Sequence, residues 1–253
     1  MVRRALPPLV AGVVLLTLWQ VWVGVADIQG FLLPPPSDIA SSLGDNFDVI
    51  RVAAWATFST ALKGLLVGAL LGMAMALVTT RFRWLGDGLT PMAVVAAATP
   101  IVVLAPIANI WFGIVDPMAK IVVVAIVTFF PVYLNAVRGL DAVPFHHLEL
   151  LHSYGASRRA ILVRARIPGA VPMLFVGLRL AASLAMITAI VAEYFGGSRR
   201  TLGVFITQQA SIVRFDAAWA GIVAACVLAL VLYGAVVVLE RLVAPWQPRD
   251  LDR

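Results

Sequence analysis

The sequence predicts an all-α, polytopic membrane protein, and three observations carry that expectation. Of its 253 residues 62% are apolar and only 13% charged, and the mean hydropathy is +0.97, which excludes an ordinary soluble domain. Six apolar stretches, at about 6–25, 55–79, 89–112, 118–137, 170–192 and 216–240, are long enough to cross a hydrocarbon core of ~30 Å. The basic residues divide unevenly between the connections. No alternating barrel pattern appears, so helices are the spanning form, because backbone groups in lipid must be satisfied within each segment. The chain reads as one transmembrane domain over residues 1–253, with its core at about 50–245.

The first stretch follows Arg3 and Arg4 and carries Trp19 and Trp22 near its far end as interfacial anchors. At 6–25 it exceeds the ~7–15 apolar residues of a signal-peptide core, so it reads as an uncleaved span. Residues 26–50 hold Pro34-Pro35-Pro36, then Ser37 and Asp38, which predicts a rigid turn and a short helix capped by Ser or Asp. Gly64, Gly68 and Gly72 in the second span, and Ala181, Ala182, Ser183 and Ala185 in the fifth, predict close helix contacts, within the chain or across a dimer axis. Pro100, Pro106 and Asn109 are expected to break the third span, and Pro131 and Asn135 the fourth. Broken helices border the path in many transporters, and elsewhere kinks only shape packing. Residues 193–215, with Gly196-Gly197 and Gly203, predict a re-entrant or surface loop. Cys226 lies in an apolar run and reads as packing filler.

Arginine placement sets the expected orientation. Arg3, Arg4, Arg81, Arg83, Arg138, Arg158, Arg159, Arg164, Arg166, Arg241, Arg249 and Arg253 fall on one side, against Arg51, Arg199, Arg200 and Arg214 on the other. The positive-inside rule therefore places both termini and the 138–169 connection in the cytoplasm. The same distribution accounts for the net charge of +6 and the pI near 10.2. No basic stretch carries base-stacking aromatics, so no nucleic-acid partner is expected.

Between the fourth and fifth spans lies an arginine-rich island, residues 145–170. Pro144 suits a helix start. Leu148, Leu151 and Leu150, Tyr154 fall at i, i+3 and i, i+4 spacings, which predicts a short helix with one apolar face. Gly155 ends it, Ser157 caps a second helix from Arg158 to Ile167, and Pro168 stops that one. Such a knob fits the helix-in-groove mode of docking. His146, His147 and His152 with Glu149 lack a fixed ligand spacing, so no metal site is expected.

Glu149, Gly155 six residues on, Ile161 and Pro168 resemble the EAA loop of bacterial ABC-importer permeases, with Leu150 and Leu151 where two alanines usually stand. Leu33-Pro34-Pro35-Pro36-Ser37, Trp111-Phe112-Gly113 with Lys120-Ile121, Phe129-Phe130-Pro131 with Asn135, and Gly177-Leu178-Arg179 are similar to the nitrate/sulfonate/taurine type of these binding-protein-dependent inner-membrane components. Ala192-Glu193-Tyr194-Phe195-Gly196-Gly197 with Leu202-Gly203 looks like the subgroup assigned to thiamine-precursor, riboflavin or aromatic-acid uptake.

The resemblance implies a multi-pass inner-membrane permease, its termini cytoplasmic, acting with cytoplasmic ATPase subunits, an extracytoplasmic solute-binding protein and a second permease copy. Glu149, Leu150, Leu151, Gly155, Ala156, Ser157, Ile161 and Pro168 would form the coupling loop. The permease would be no enzyme and hold no cofactor, since ATP binds the partner and this chain lacks a Gly-rich Lys-Ser/Thr phosphate loop. The cargo would be a small organic solute: a sulfonate, taurine or nitrate-like anion, an aromatic acid, or a thiamine or riboflavin precursor.

Candidate path residues are Lys63, Pro106, Asn109, Pro131, Asn135, Arg179 and Glu193. Ionisable groups in spans must face the bundle, a partner or an interface. Lys63 and Arg179 either line an anion path or pair structurally; Lys120 reads as structural. Glu193 either meets the binding protein or pairs with Arg199. The alternative function is a stand-alone secondary transporter, which wants a membrane-centre carboxylate that these spans lack.

Overall fold

The computed structural model describes residues 2–246, without the side chains of residues 2–6, 8, 9, 101 and 102; the side chains of Arg3 and Arg4, and Arg249 and Arg253 altogether, lie outside the described residues. The regular elements among the described residues are helices: α1 (Val2–Val25), α2 (Pro36–Asp45), α3 (Phe47–Arg81), α4 (Arg83–Ala97), α5 (Ile101–Phe112), α6 (Pro117–Leu140), α7 (Phe145–Ser153), α8 (Arg158–Ile161), α9 (Ile167–Tyr194), α10 (Leu202–Ser211) and α11 (Phe215–Val243). A π-helical turn, Leu162–Arg166, joins α8 to α9.

Four helices are long and apolar enough to cross a membrane among the described residues: Phe47–Arg81, Pro117–Leu140, the continuous Arg158–Tyr194 and Phe215–Val243. In α1 the described apolar part runs over Val10–Val25. The third expected span, 89–112, is two helices rather than one. Thr99 precedes Pro100, a position that disfavours helical backbone, and Pro100 itself is extended (φ −63°, ψ 124°), so α4 stops and α5 starts afresh.

Pro131 does not break the fourth span. α6 runs unbroken through it, and Asn135 donates its side-chain amide to the Pro131 carbonyl at 2.8 Å. The bond lost is the one to the Val127 carbonyl one turn back, since Pro131 has no N–H to give, and the close approach of Gly177 to the Pro131 carbonyl packs α9 against this stretch. Nor does Pro168 stop a helix. The Ile167 N–H reaches five residues back to the Leu162 carbonyl, and the widened π-turn lets the rod continue into α9 past the proline.

The core forms where α3, α6 and α9 meet. A Cβ at Gly64 would lie 2.5 Å from Val124, at Gly68 2.5 Å from the Ala125 carbonyl, and at Gly72 2.9 Å from the Phe129 carbonyl. These three positions bring α3 and α6 together backbone to backbone, running parallel. Gly177 meets Pro131 and Gly139 meets Ala170 in the same way, which makes α9 antiparallel to α6. Ala181, Ala182, Ala185 and Ala189 are buried against this seam with Met186, Leu65 and Val132. The small residues thus serve contacts within the chain, where packing rather than the hydrophobic effect drives association. Cys226 is exposed on α11 rather than packed.

The directions of the helices gather Arg81, Arg138, Arg158, Arg166 and Arg241 at one end of the bundle, with α7. The opposite end carries α2, α10 and the connection 113–116. There α2 begins at Pro36, with Pro35 rather than Ser or Asp in the cap position and no cap from its own side chains. Gln20 of α1 supplies the partner instead, accepting from the Ser37 N–H at 3.1 Å and donating to its hydroxyl at 3.2 Å. Trp19 packs edge-on against Trp219 of α11, ring centroids 5.3 Å apart.

Candidate functional site

At the arginine-rich end, α7 is built from local chemistry alone. Its end is a Schellman motif. The Ala156 N–H donates to the Leu151 carbonyl (3.0 Å) and the Gly155 N–H to the His152 carbonyl (2.9 Å), with Gly155 at φ +74°. Ser157 then accepts from the Ala160 N–H at 3.2 Å and caps α8. Ile161 is buried, and Arg166 pairs with Asp141 at 3.6 Å, fixing the base of the loop to the end of α6.

No residue of α7 is buried. The single apolar face read from spacing resolves into two sides: Leu148 and Leu151 are half-buried, whereas Leu150 and the flanking Phe145 and Tyr154 are 54%, 73% and 81% exposed. Glu149 is exposed beside them. The knob therefore presents three large apolar side chains and a carboxylate outward.

A cavity of about 440 Å³ opens between the α4–α5 break, α6 and α9. Pro131 and Asn135 of the candidate path residues line it, together with Phe130, Arg138, Leu184 and Thr188. Arg138, read from the sequence only as a loop charge, thus borders the cavity; its place one helix turn beyond Asn135 is the signal that could have found it. The structure does not bring Lys63, Pro106, Asn109, Arg179 or Glu193 to this wall. Lys63 is exposed near the middle of α3, with no ion pair among the described residues. Pro106 sits inside α5. Asn109 is buried and donates to the Phe195 carbonyl at 3.2 Å. Arg179 pairs with Glu240 of α11 at 3.6 Å.

Lys120 is buried and turned back onto the loop before its own helix, donating to the Ile114 and Asp116 carbonyls. Those contacts fit the structural reading of this residue and tie the start of α6 to the far end of the bundle.

Glu193 lies at that end with 2% of its surface exposed. Its partners are not Arg199 but the start of α10: Oε2 accepts from the Gly203 N–H at 2.8 Å and from the Thr57 hydroxyl at 3.0 Å. Thr57 of α3 in turn accepts from the Leu202 N–H at 2.9 Å. Glu193 Oε1 is buried with no partner among the described residues. Nothing in the sequence singles out Thr57, whose partners lie 136 and 145 positions away.

Comparison with known proteins converges on one family. Residues 68–245 match the family described as the binding-protein-dependent transport system inner membrane component. The riboflavin transport system permease protein of Chloroflexus aurantiacus is 29% identical over 92% of this chain and 87% of its own length. A probable ABC transporter permease protein of Haemophilus influenzae is 30% identical over 91% and 93%, and the formylaminopyrimidine transport permease protein of Halalkalibacterium halodurans 28% identical over 98% of both chains. In fold the chain is similar to the methionine ABC transporter in its inward-facing conformations, with a TM-score of 0.65 at 15% identity, covering 79% of this chain and 98% of that one. The chain belongs to the binding-protein-dependent inner-membrane-component family: it is a membrane-spanning permease component of an ABC importer for small solutes.

Proposed function

We propose that this permease is moved by a separate ATPase subunit through α7, with Glu149, Leu150, Leu151, Gly155, Ala156, Ser157, Ile161 and Pro168 forming and supporting the coupling loop. The observation that carries the reading is a well-formed helix with no buried residue, presenting Phe145, Leu150 and Tyr154 at the arginine-rich end. Exposed large apolar groups clustered on one element mark a protein-interaction site, and a short helix fits a groove. In this reading the chain crosses the membrane six times, the broken pair α4–α5 making one crossing and α1 another. Both termini and α7 are cytoplasmic, following the arginines.

The cavity at the α4–α5 break forms part of the path, completed by a second copy of the chain. An extracytoplasmic binding protein delivers the cargo, a small organic solute of the sulfonate, taurine or nitrate-like, aromatic-acid, or thiamine- or riboflavin-precursor kind. The relatives that carry riboflavin and formylaminopyrimidine in their names favour the last group. ATP binds the partner subunit, and its closure moves α7 and α9 as a rigid body between two states.

The test is co-purification of the tagged permease with its ATPase from membranes, for wild type, Glu149→Ala and Gly155→Pro. Proline cannot adopt φ +74°, so Gly155→Pro should misdirect the knob and lose the ATPase while the permease still reaches the membrane. Glu149→Ala should weaken recovery. Uptake that proceeds without ATP and without an associated ATPase would favour the stand-alone transporter instead.

A further inference from the structure

We propose that Glu193 and Thr57 are positioning residues for transport: they cap α10 from two different helices, so that α10, at the end of the bundle opposite α7, moves with α3 and α9. This rests on the permease reading above.

A helix begins with N–H groups that have no partner within it, and the usual remedy is the hydroxyl or carboxylate of its own cap residue. Here the cap residue Thr201 makes no such bond; it donates to the Ser198 carbonyl at 3.0 Å. The N–H groups of Leu202 and Gly203 would then be buried orphans. Thr57 takes one and Glu193 the other, at 2.9 and 2.8 Å. The carboxylate also meets the positive end of the helix dipole.

The fit leaves no slack. A Cβ at Gly203 would lie 2.6 Å from both the Glu193 Cβ and the Ile190 carbonyl. Thr57 and Leu202 are fully buried. α10 therefore cannot shift against α9 or α3 without uncapping two buried donors.

The same two helices reach the other end of the molecule. From Arg158 to Tyr194 the chain is one continuous helix of 37 residues, whose start adjoins Ser157 and the α7 knob. A rigid-body displacement applied there arrives at Glu193. The bond set is also incomplete, because Glu193 Oε1 has no partner among the described residues. A half-satisfied buried carboxylate leaves part of its desolvation cost uncompensated, which suits a contact that must hold in one state and loosen in another.

The experiment uses the reconstituted permease–ATPase complex in proteoliposomes, with its binding protein carrying the solute it retains through purification. Basal ATP hydrolysis and its stimulation by the loaded binding protein are both measured. Thr57→Val, an isosteric change, and Glu193→Ala should assemble and keep basal hydrolysis, yet lose stimulation by about tenfold, the effect of roughly one charge-assisted hydrogen bond. Thr57→Ser and Glu193→Gln keep the acceptors and should retain it. Stimulation unchanged in Thr57→Val, or lost equally in Thr57→Ser, would overturn the proposal. If Glu193→Ala fails to assemble, the Thr57 pair decides. A wild-type chain that recruits no ATPase would instead remove the permease reading on which the proposal stands.

Discussion

α7 and α10 are near twins in size and in how they end, and opposites in how they are held. They span 9 and 10 residues, each between two long helices. Both close with the same paired bonds: Ala156 to Leu151 and Gly155 to His152 in one, Arg214 to Gln209 and Val213 to Ala210 in the other. In α7 the left-handed position belongs to Gly155 (φ +74°); in α10 it is taken by Val213 (φ +62°), where a β-branched side chain is strained. α10 buries Leu202, Gly203, Phe205 and Ile206 against the Ala217–Ala218 end of α11 and borrows its cap from α3 and α9. α7 buries nothing. One helix is held by the rest of the chain; the other is made stable by its own ends and left for something else to hold.

That contrast is easiest to break at the glycines. Gly203→Val forces a branched side chain into backbone 2.6 Å away and should cost about 3 kcal/mol or more. The check is thermal unfolding of the detergent-purified protein, where the variant should melt far below wild type or fail to purify. Leu150→Asp on α7 should leave the same melting curve unshifted, because an exposed helix position carries little stability, while ATPase recovery falls. Reversed outcomes would contradict the comparison.

Next in size is Gly155→Val. Placing a β-branched residue at φ +74° costs about 1–2 kcal/mol locally, so α7 should fray, read as faster hydrogen exchange over residues 145–156 with the spans unchanged. The pair Arg179–Glu240 ties α9 to α11 nearer the arginine-rich end. A double-mutant cycle through Arg179→Gln and Glu240→Gln should give a coupling of about 0.5–1 kcal/mol in the melting analysis, the range of a partly exposed pair. The smallest effect expected is Val213→Gly, which makes the end of α10 resemble that of α7. Relief of the strain should raise stability by about 0.5 kcal/mol, with Ile212 and Arg214 still exposed.

How far the sequence could be read followed the distance over which each feature is made. Among the described residues four of the six expected spans are helices long and apolar enough to cross a membrane, because a run of apolar residues needs no partner to declare itself. Gly155 as terminator and Ser157 as cap were legible for the same reason, since each acts within four residues of itself. The proline reading divided. Pro100 ends a helix because the residue before a proline is pushed out of helical backbone and Pro100 itself is extended, whereas Pro131 is carried within α6, where Gly177 lets α9 pack closely on the same stretch. Pro168 is tolerated because the π-turn before it opens the helix.

The caps of α2 and α10 were not legible at all. Gln20 lies 17 residues from Ser37, and Thr57 lies 136 from Glu193, so only the folded bundle brings them together. Glu193 stands out in the sequence as a charge at a helix end, with a binding protein or Arg199 as its alternative partners. The backbone of α10 proved the stronger claimant, because buried N–H groups must be paired and Arg199 is free to remain in water. Thr188 carries no such signal as Arg138 does beside Asn135; their common wall is a property of α6 crossing α9.

The most direct test of the account is where the ATPase touches this chain. With Cys226 replaced by serine, a single cysteine is placed at Leu150 on α7 or at Ser211 on α10, and the assembled complex is treated with a short thiol-to-amine cross-linker. The account predicts a permease–ATPase adduct from Leu150→Cys, formed in membranes and shifted in yield by ATP with vanadate, and none from Ser211→Cys. An adduct from Ser211→Cys, or none from Leu150→Cys in a complex that still hydrolyses ATP, would contradict it.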